Sequence, residues 1–147
     1  MVKKIFVGLV GILVVIQFIK PHFNNPKIDE RIALQADEKV ISLLKNACYD
    51  CHSDETKYPW YHNVAPISWA MAGHIDQGRK ALNFSQWANM DADIRTIRVK
   101  RAKQLIDNGL MPKGSYLWMH ENAHLKQEDK KILDHFFDQQ LQQLKKS

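Results

Sequence analysis

The chain has 147 residues, 45% of them hydrophobic and 25% charged, a composition that fits one globular domain and excludes a wholly disordered chain. Its two cysteines exclude a disulfide-rich scaffold. The net charge of +5 comes largely from the first 20 residues, and no basic run is interleaved with aromatic residues, so we expect no nucleic-acid partner.

The first 23 residues are typical of an export or anchor segment. Lys3 and Lys4 precede the apolar stretch Ile5–Ile19, and a positive head before an apolar run directs export. The stretch ends in bulky and charged residues, which favours an uncleaved anchor over a signal cut at an atypical site. We therefore expect residues 1–23 to form a transmembrane helix. This predicts a single-pass protein of the inner (cytoplasmic) membrane that faces the periplasm or the exterior.

The rest of the chain is predicted to form a linker, residues 24–35, and one all-α domain, residues 36–147. Apolar residues recur at helical spacing, and no segment alternates for long in the manner of a strand. The predicted helices run from Asp29 or Asp37 to Cys48, from Ile67 to Lys80, from Asp91 to a residue before Gly109, and from Gln127 to Leu144. Four modest helices with long connections make a thin core, which indicates that a non-protein group fills the middle.

One motif carries the chemistry: the segment Cys48–His52 reads Cys-Tyr-Asp-Cys-His, the CxxCH signal for covalent haem attachment. Two thiols at this spacing reach one edge of a porphyrin, and His52 can then bind the iron axially. A thioredoxin-like CxxC belongs near a βαβ pattern, which this chain lacks. A zinc site would need two further ligands, for which His62 and His74 could serve, but it would leave His52 unexplained.

Beyond this motif, the chain resembles the bacterial exported haem-binding domain family and, more broadly, class I-type c-type cytochromes. The residues that carry the resemblance are Cys48–His52, Tyr58–Tyr61, Ala65–Trp69, Gly78–Arg79, Leu82–Ser85, Trp87, Met111–Pro112, Tyr116 and His120. The similarity extends from about Ala36 to Phe137. It implies a small cytochrome c-like helical domain, preceded here by the N-terminal transmembrane helix, with long loops around one covalent haem c.

Met111 is the leading candidate for the sixth iron ligand. It lies in predicted irregular chain before Pro112, which restricts it to extended geometry. A thioether ligand raises the redox potential relative to a second imidazole. The alternative is His74, on a predicted helix. Three further histidines, or an open site, remain as options: His62, His120 and His124.

Closed ligation by His52 and Met111 predicts a membrane-tethered one-electron carrier in the periplasm, an electron-transfer protein rather than an enzyme. It would serve redox protein partners that the sequence does not identify. The alternative is a haem enzyme or sensor, peroxidase-like or gas-binding, with an open or displaceable sixth site and a distal acid/base such as His74. Arg79 is interpreted either as the partner of a haem propionate or as a solvated charge.

Overall fold

The structure is a computed structural model that describes residues 1–145; the last two residues of the predicted domain, 146 and 147, lie outside the described residues. The α-helices are α1 (Val2–Ile16), α2 (Glu38–Ala47), α3 (Tyr49–His52), α4 (Ile67–Ala81), α5 (Ala92–Asp107), α6 (Gly114–Leu117) and α7 (Gln127–Leu144). Short 3₁₀-helices occur at Trp60–Asn63, Phe84–Gln86 and Glu121–Ala123. Residues 1–145 contain no strand, so the all-α prediction is confirmed for this part of the chain.

Local chemistry explains where the predicted helices begin and end. The Asp37 carboxylate accepts a hydrogen bond from the Val40 N–H at 3.0 Å, so it caps α2, and Asp29 lies outside the helix. Asp91 caps α5 by accepting from the Asp93 N–H at 2.9 Å. Gly109 follows α5 with φ of 66°, a left-handed conformation that favours glycine.

The predicted N-terminal transmembrane helix is wrong, because no helix in residues 1–145 is long and apolar enough to cross a membrane. Helix α1 has 15 residues, or about 22 Å, against about 30 Å of hydrocarbon. Directly after the helix, the Gln17 side-chain amide forms two hydrogen bonds with the Ala65 backbone. Its Nε2 donates to the Ala65 carbonyl at 3.1 Å, and its Oε1 accepts from the Ala65 N–H at 2.9 Å. Phe18 and Ile19, which the apolar stretch included, therefore lie beyond the helix. The prediction of a single-pass inner-membrane location depended on this transmembrane helix and is wrong for the same reason.

Hydrogen bonds and a ring contact hold the segment after α1 against the rest of the domain. The Trp69 indole N–H donates to the Ile19 carbonyl at 2.7 Å. The Tyr58 hydroxyl donates to the Asn25 side chain at 3.0 Å, and the Phe23 ring lies 5.1 Å from the Tyr58 ring. Residues 17–25 are thus held by contacts with parts of the chain that lie about 30 to 50 positions away.

The hydrophobic core lies between α2, α5 and α7. Its most deeply buried side chains include Leu44, Val99, Leu133 and Phe137. At one end of this core the Tyr49 ring stacks on Phe84 with centroids 5.4 Å apart. Since Tyr49 lies inside the CxxCH motif, the core directly supports the segment that carries the chemistry.

Candidate functional site

The CxxCH motif lies at the junction of two helices. Cys48 ends α2, with its N–H bonded to the Leu44 carbonyl at 2.8 Å, and the single turn of α3 follows. The His52 N–H donates back to the Cys48 carbonyl at 2.9 Å. Both cysteines are half-buried free thiols. The turn therefore places two thiols and one imidazole close together in space.

The His52 ring is oriented by a hydrogen bond. Its Nδ1 lies 2.9 Å from the Leu82 carbonyl, at the end of α4. Since a carbonyl only accepts, Nδ1 carries the proton, and Nε2 keeps its lone pair for a metal. Burial lowers the pKa of His52 below its usual value, so the ring is neutral at pH 7.

Helix α4 packs directly against the backbone of α3 at Gly78. A Cβ atom at this position would lie 2.3 Å from the Cys51 carbonyl oxygen and 2.9 Å from the carbonyl carbon. Only glycine permits this approach without a shift of the backbone. The close contact brings the end of α4, and with it the Leu82 carbonyl, to His52.

Arg79 is bound to protein acceptors rather than solvated. Its Nε donates to the Ser53 carbonyl at 2.8 Å, and Nη1 donates to the Asn24 carbonyl at 2.6 Å. Nη2 donates to Asn25 Oδ1 at 2.8 Å and to Thr56 Oγ1 at 3.0 Å. The guanidinium therefore joins α4 to the loop after the motif and to the segment after α1.

Behind this guanidinium lies a buried carboxylate that the sequence did not reveal. Asp54 is 4% exposed, and its oxygens accept from Asn83 Nδ2 at 2.9 Å and Gln86 Nε2 at 3.1 Å. The Arg79 Nε lies 3.6 Å from the same carboxylate. Each of these partners lies more than 20 positions from Asp54 in the chain, so no local pattern could have indicated the network.

A second tyrosine lies against the motif from the side of α6. The Tyr116 hydroxyl donates to Asp50 Oδ2 at 2.8 Å, and Asp50 lies between the two cysteines. Burial, and then the hydrogen bond to Asp50, raise the pKa of Tyr116 above its usual value. The His120 ring stacks on Tyr116 with centroids 3.9 Å apart, and its Nδ1 lies 2.9 Å from the Tyr116 carbonyl.

The two leading candidates for the sixth ligand lie in different elements, Met111 in the connection between α5 and α6 and His74 within α4. Met111 lies between α5 and α6, with its N–H bonded to the Leu105 carbonyl at 3.1 Å and its side chain packed against the core. His74 is half-buried on α4, and burial and then the charge of Lys113 lower its pKa. In residues 1–145 no hydrogen bond or ring contact joins either side chain to His52, so both assignments stay predictions.

The His62 ring is already engaged at both nitrogens. Its Nδ1 lies 2.6 Å from the Pro59 carbonyl, and its Nε2 lies 2.9 Å from Asn63 Nδ2. These contacts disfavour His62 as a ligand, because a metal needs a ring nitrogen with a free lone pair.

The thiols do not have the character of a dithiol oxidoreductase. Burial raises the pKa of Cys48 to about 12 and that of Cys51 to about 11. Reactive CxxC cysteines have lowered pKa values instead. Within the described range no group of three or more His, Cys, Asp or Glu side chains is arranged to hold a metal ion. The donor set of two protonated thiols and one neutral, oriented imidazole fits haem attachment.

The comparisons with known proteins bear on this interpretation. A family model described as a haem-binding domain matches residues 11–139, a range that includes the CxxCH motif, Met111 and His74. The searches of curated proteins and of solved structures found no match. The match confirms the resemblance inferred from the sequence: the chain belongs to the haem-binding domain family.

Proposed function

We propose that this haem-binding protein is a one-electron carrier of the c type. Cys48 and Cys51 would hold the haem covalently, while His52 and Met111 would be the protein ligands of its iron. The observation that supports this most directly is the 2.9 Å contact between His52 Nδ1 and the Leu82 carbonyl, because it leaves Nε2 available to a metal. When bound, the haem supplies a one-electron couple.

The chain's own groups have separate parts in this proposal. Each thiol would add its S–H across one vinyl group, so that a carbon–sulfur bond forms, the thiol hydrogen passes to the vinyl group and no oxidant is needed. Cys48 ends α2 and Cys51 follows one helical turn later in α3, a spacing at which both thiols would be available to one haem. The Leu82 carbonyl fixes the rotation of the His52 ring.

Met111 supplies the closed ligation that distinguishes a carrier from an enzyme. Its backbone is tied to the end of α5, and its side chain is partly buried against the core. A ligand held at both its backbone and its side chain changes little between oxidation states, which favours rapid electron transfer. The thioether would also raise the potential relative to a second histidine.

The test is to produce the protein in a host with haem-attachment machinery and to measure its denatured mass and its spectra. We expect a mass increase of one haem, which the double variant Cys48→Ala/Cys51→Ala abolishes. Either single variant can keep the mass of one haem, because its remaining thiol still forms one thioether. The ferric protein should show the red-edge charge-transfer band of Met–iron ligation. Met111→Ala should remove that band and His74→Ala should keep it. A mass equal to that of the bare polypeptide would refute covalent attachment.

The second candidate function, a haem enzyme or sensor, is favoured by one observation. His74 is half-buried, and the lowered pKa keeps its ring neutral at pH 7, as a distal base requires. This function predicts rapid binding of carbon monoxide or cyanide to the native protein. Slow binding together with a Met–iron band would support the carrier instead.

A further inference from the structure

We infer that the hydrogen bond between Tyr116 and Asp50 holds residues 110–117, the Met111 segment, against the attachment motif. In this way it keeps the Met111 thioether on the iron. The inference rests on the proposed function, because it takes Met111 as the ligand. It makes Tyr116 and Asp50 positioning residues, which act on the iron only through Met111.

Asp50 joins three parts of the chain: its own helix α3, the loop at residues 56 and 57, and helix α6. Its carboxylate accepts from the Lys57 N–H at 2.9 Å through Oδ1 and from the Tyr116 hydroxyl at 2.8 Å through Oδ2. Its backbone carbonyl accepts from Thr56 Oγ1 at 2.8 Å. Both carboxylate oxygens therefore have partners, and the carboxylate cannot rotate without breaking one of these bonds. Because Asp50 lies between the two cysteines, the groups that its carboxylate binds are held in a fixed position relative to the attachment site.

The Met111 segment needs an attachment of this kind. At its start, the N–H groups of Leu110 and Met111 donate to the Leu105 carbonyl at 2.8 and 3.1 Å. Helix α6, which follows, has four residues and is too short to be stable alone. The bond from Tyr116 to Asp50 spans 66 positions and ties the far end of the segment to α3. Met111 is thus held between two fixed points.

The Tyr116 ring is itself prevented from turning away. His120 stacks on it almost parallel, with 11° between the ring planes, and bonds through Nδ1 to the Tyr116 carbonyl. The phenol is half-buried, so a hydroxyl without its partner would lose a hydrogen bond that water replaces poorly. These contacts preorganise the hydroxyl toward Asp50, which is the arrangement expected of a positioning group.

The experiment measures how readily the ligand leaves the iron in the complete haem-loaded protein. Imidazole added to the ferric protein can bind only when Met111 dissociates. Tyr116→Phe removes the hydrogen bond and keeps the ring, so we expect imidazole to bind about tenfold faster, with a weaker Met–iron band. The mass of the variant should still include one haem.

Matched variants separate positioning from general destabilisation. Tyr58→Phe removes a similar hydrogen bond, from Tyr58 to Asn25 at 3.0 Å, and should leave the imidazole rate unchanged. In Asp50→Asn the amide oxygen can still accept from the Lys57 N–H, while the amide NH2 can donate to the Tyr116 hydroxyl oxygen. This variant should therefore stay closer to the wild-type rate than Tyr116→Phe. Asp50→Ala should bind imidazole as fast as Tyr116→Phe, and combining the two should add little.

The outcomes distinguish this inference from the function on which it rests. A wild-type protein without a Met–iron band overturns the ligand assignment, and the inference with it, before any variant is compared. A wild-type protein with the band, and a Tyr116→Phe variant with unchanged band and imidazole rate, overturns the inference alone. Equal acceleration in Tyr116→Phe and Tyr58→Phe also overturns it, because the effect would then be unspecific.

Discussion

Replacing Gly78 by alanine tests how closely the attachment motif depends on α4. The added Cβ would lie 2.3 Å from the Cys51 carbonyl oxygen and 3.0 Å from the Cys51 Cβ. The oxygen belongs to the backbone of α3, so no side-chain rotation can relieve the contact. Helix α4 must withdraw from α3 by about 1 Å to restore a van der Waals separation.

The magnitude follows from two opposing effects. Overpacking at a closely packed position costs typically about 1–3 kcal/mol, and a clash with backbone belongs at the upper end. Alanine is favoured over glycine within a helix by about 1 kcal/mol. We therefore expect Gly78→Ala to lower the free energy of unfolding by about 2 kcal/mol. Withdrawal of α4 would also carry the Leu82 carbonyl away from His52.

The same helix provides the control. A Cβ at Gly73 meets nothing within 4 Å, so Gly73→Ala should gain only the helical preference and stabilise the protein by about 1 kcal/mol. Urea unfolding of the two haem-loaded variants measures the difference, and their denatured masses give the fraction that carries haem. Equal stability and equal haem content in the two variants would refute the reasoning.

Three other predictions concern stability and thiol chemistry. Arg79→Met leaves the buried Asp54 carboxylate without its cation. It should lower the free energy of unfolding, measured by urea titration, by about 3–5 kcal/mol. Adding Asp54→Asn to this variant should recover part of the loss. Lys103→Met removes the pairs with two aspartates of α7, and should cost about 1 kcal/mol, less in high salt; an effect independent of salt would contradict an ionic origin. Because burial raises the pKa of Cys51 to about 11, iodoacetamide at pH 8 should modify the folded haem-free protein roughly a hundredfold slower than the unfolded one; equal rates would exclude protonated, buried thiols.

The four longer helices of the domain, α2, α4, α5 and α7, could be predicted from the sequence because their signals are local, whereas the short α3 and α6 were not predicted. Two of the predicted helices start at Asp37 or Asp91, next to apolar residues at helical spacing, and in the structure these two aspartates cap α2 and α5. Helix α4 begins at Ile67, directly after Pro66, and α7 spans Gln127–Leu144 as predicted. The CxxCH motif likewise carries its chemistry in five consecutive residues.

The features that the sequence did not reveal depend on distant parts of the chain. The end of α1 coincides with the bonds between Gln17 and Ala65, 48 positions away, which hydropathy cannot indicate. The partners of Asp54 lie about 30 positions downstream, and Tyr116 reaches Asp50 across 66 positions. Their pairing is decided by tertiary packing and has no periodic signal in the sequence.

The hydrogen bonds made by residues 17–25 limit how far the protein can be truncated from its N-terminus. A shortened protein starting at residue 36 would keep the motif but deprive the Arg79 guanidinium of two of its four acceptors, both asparagines of the removed segment. It would also strip the Trp69 indole and the Ala65 amide of their hydrogen-bond partners. Trimming for expression or labelling should therefore stop before Gln17, because the stretch that looks like a dispensable leader holds together the loops beside the cysteines.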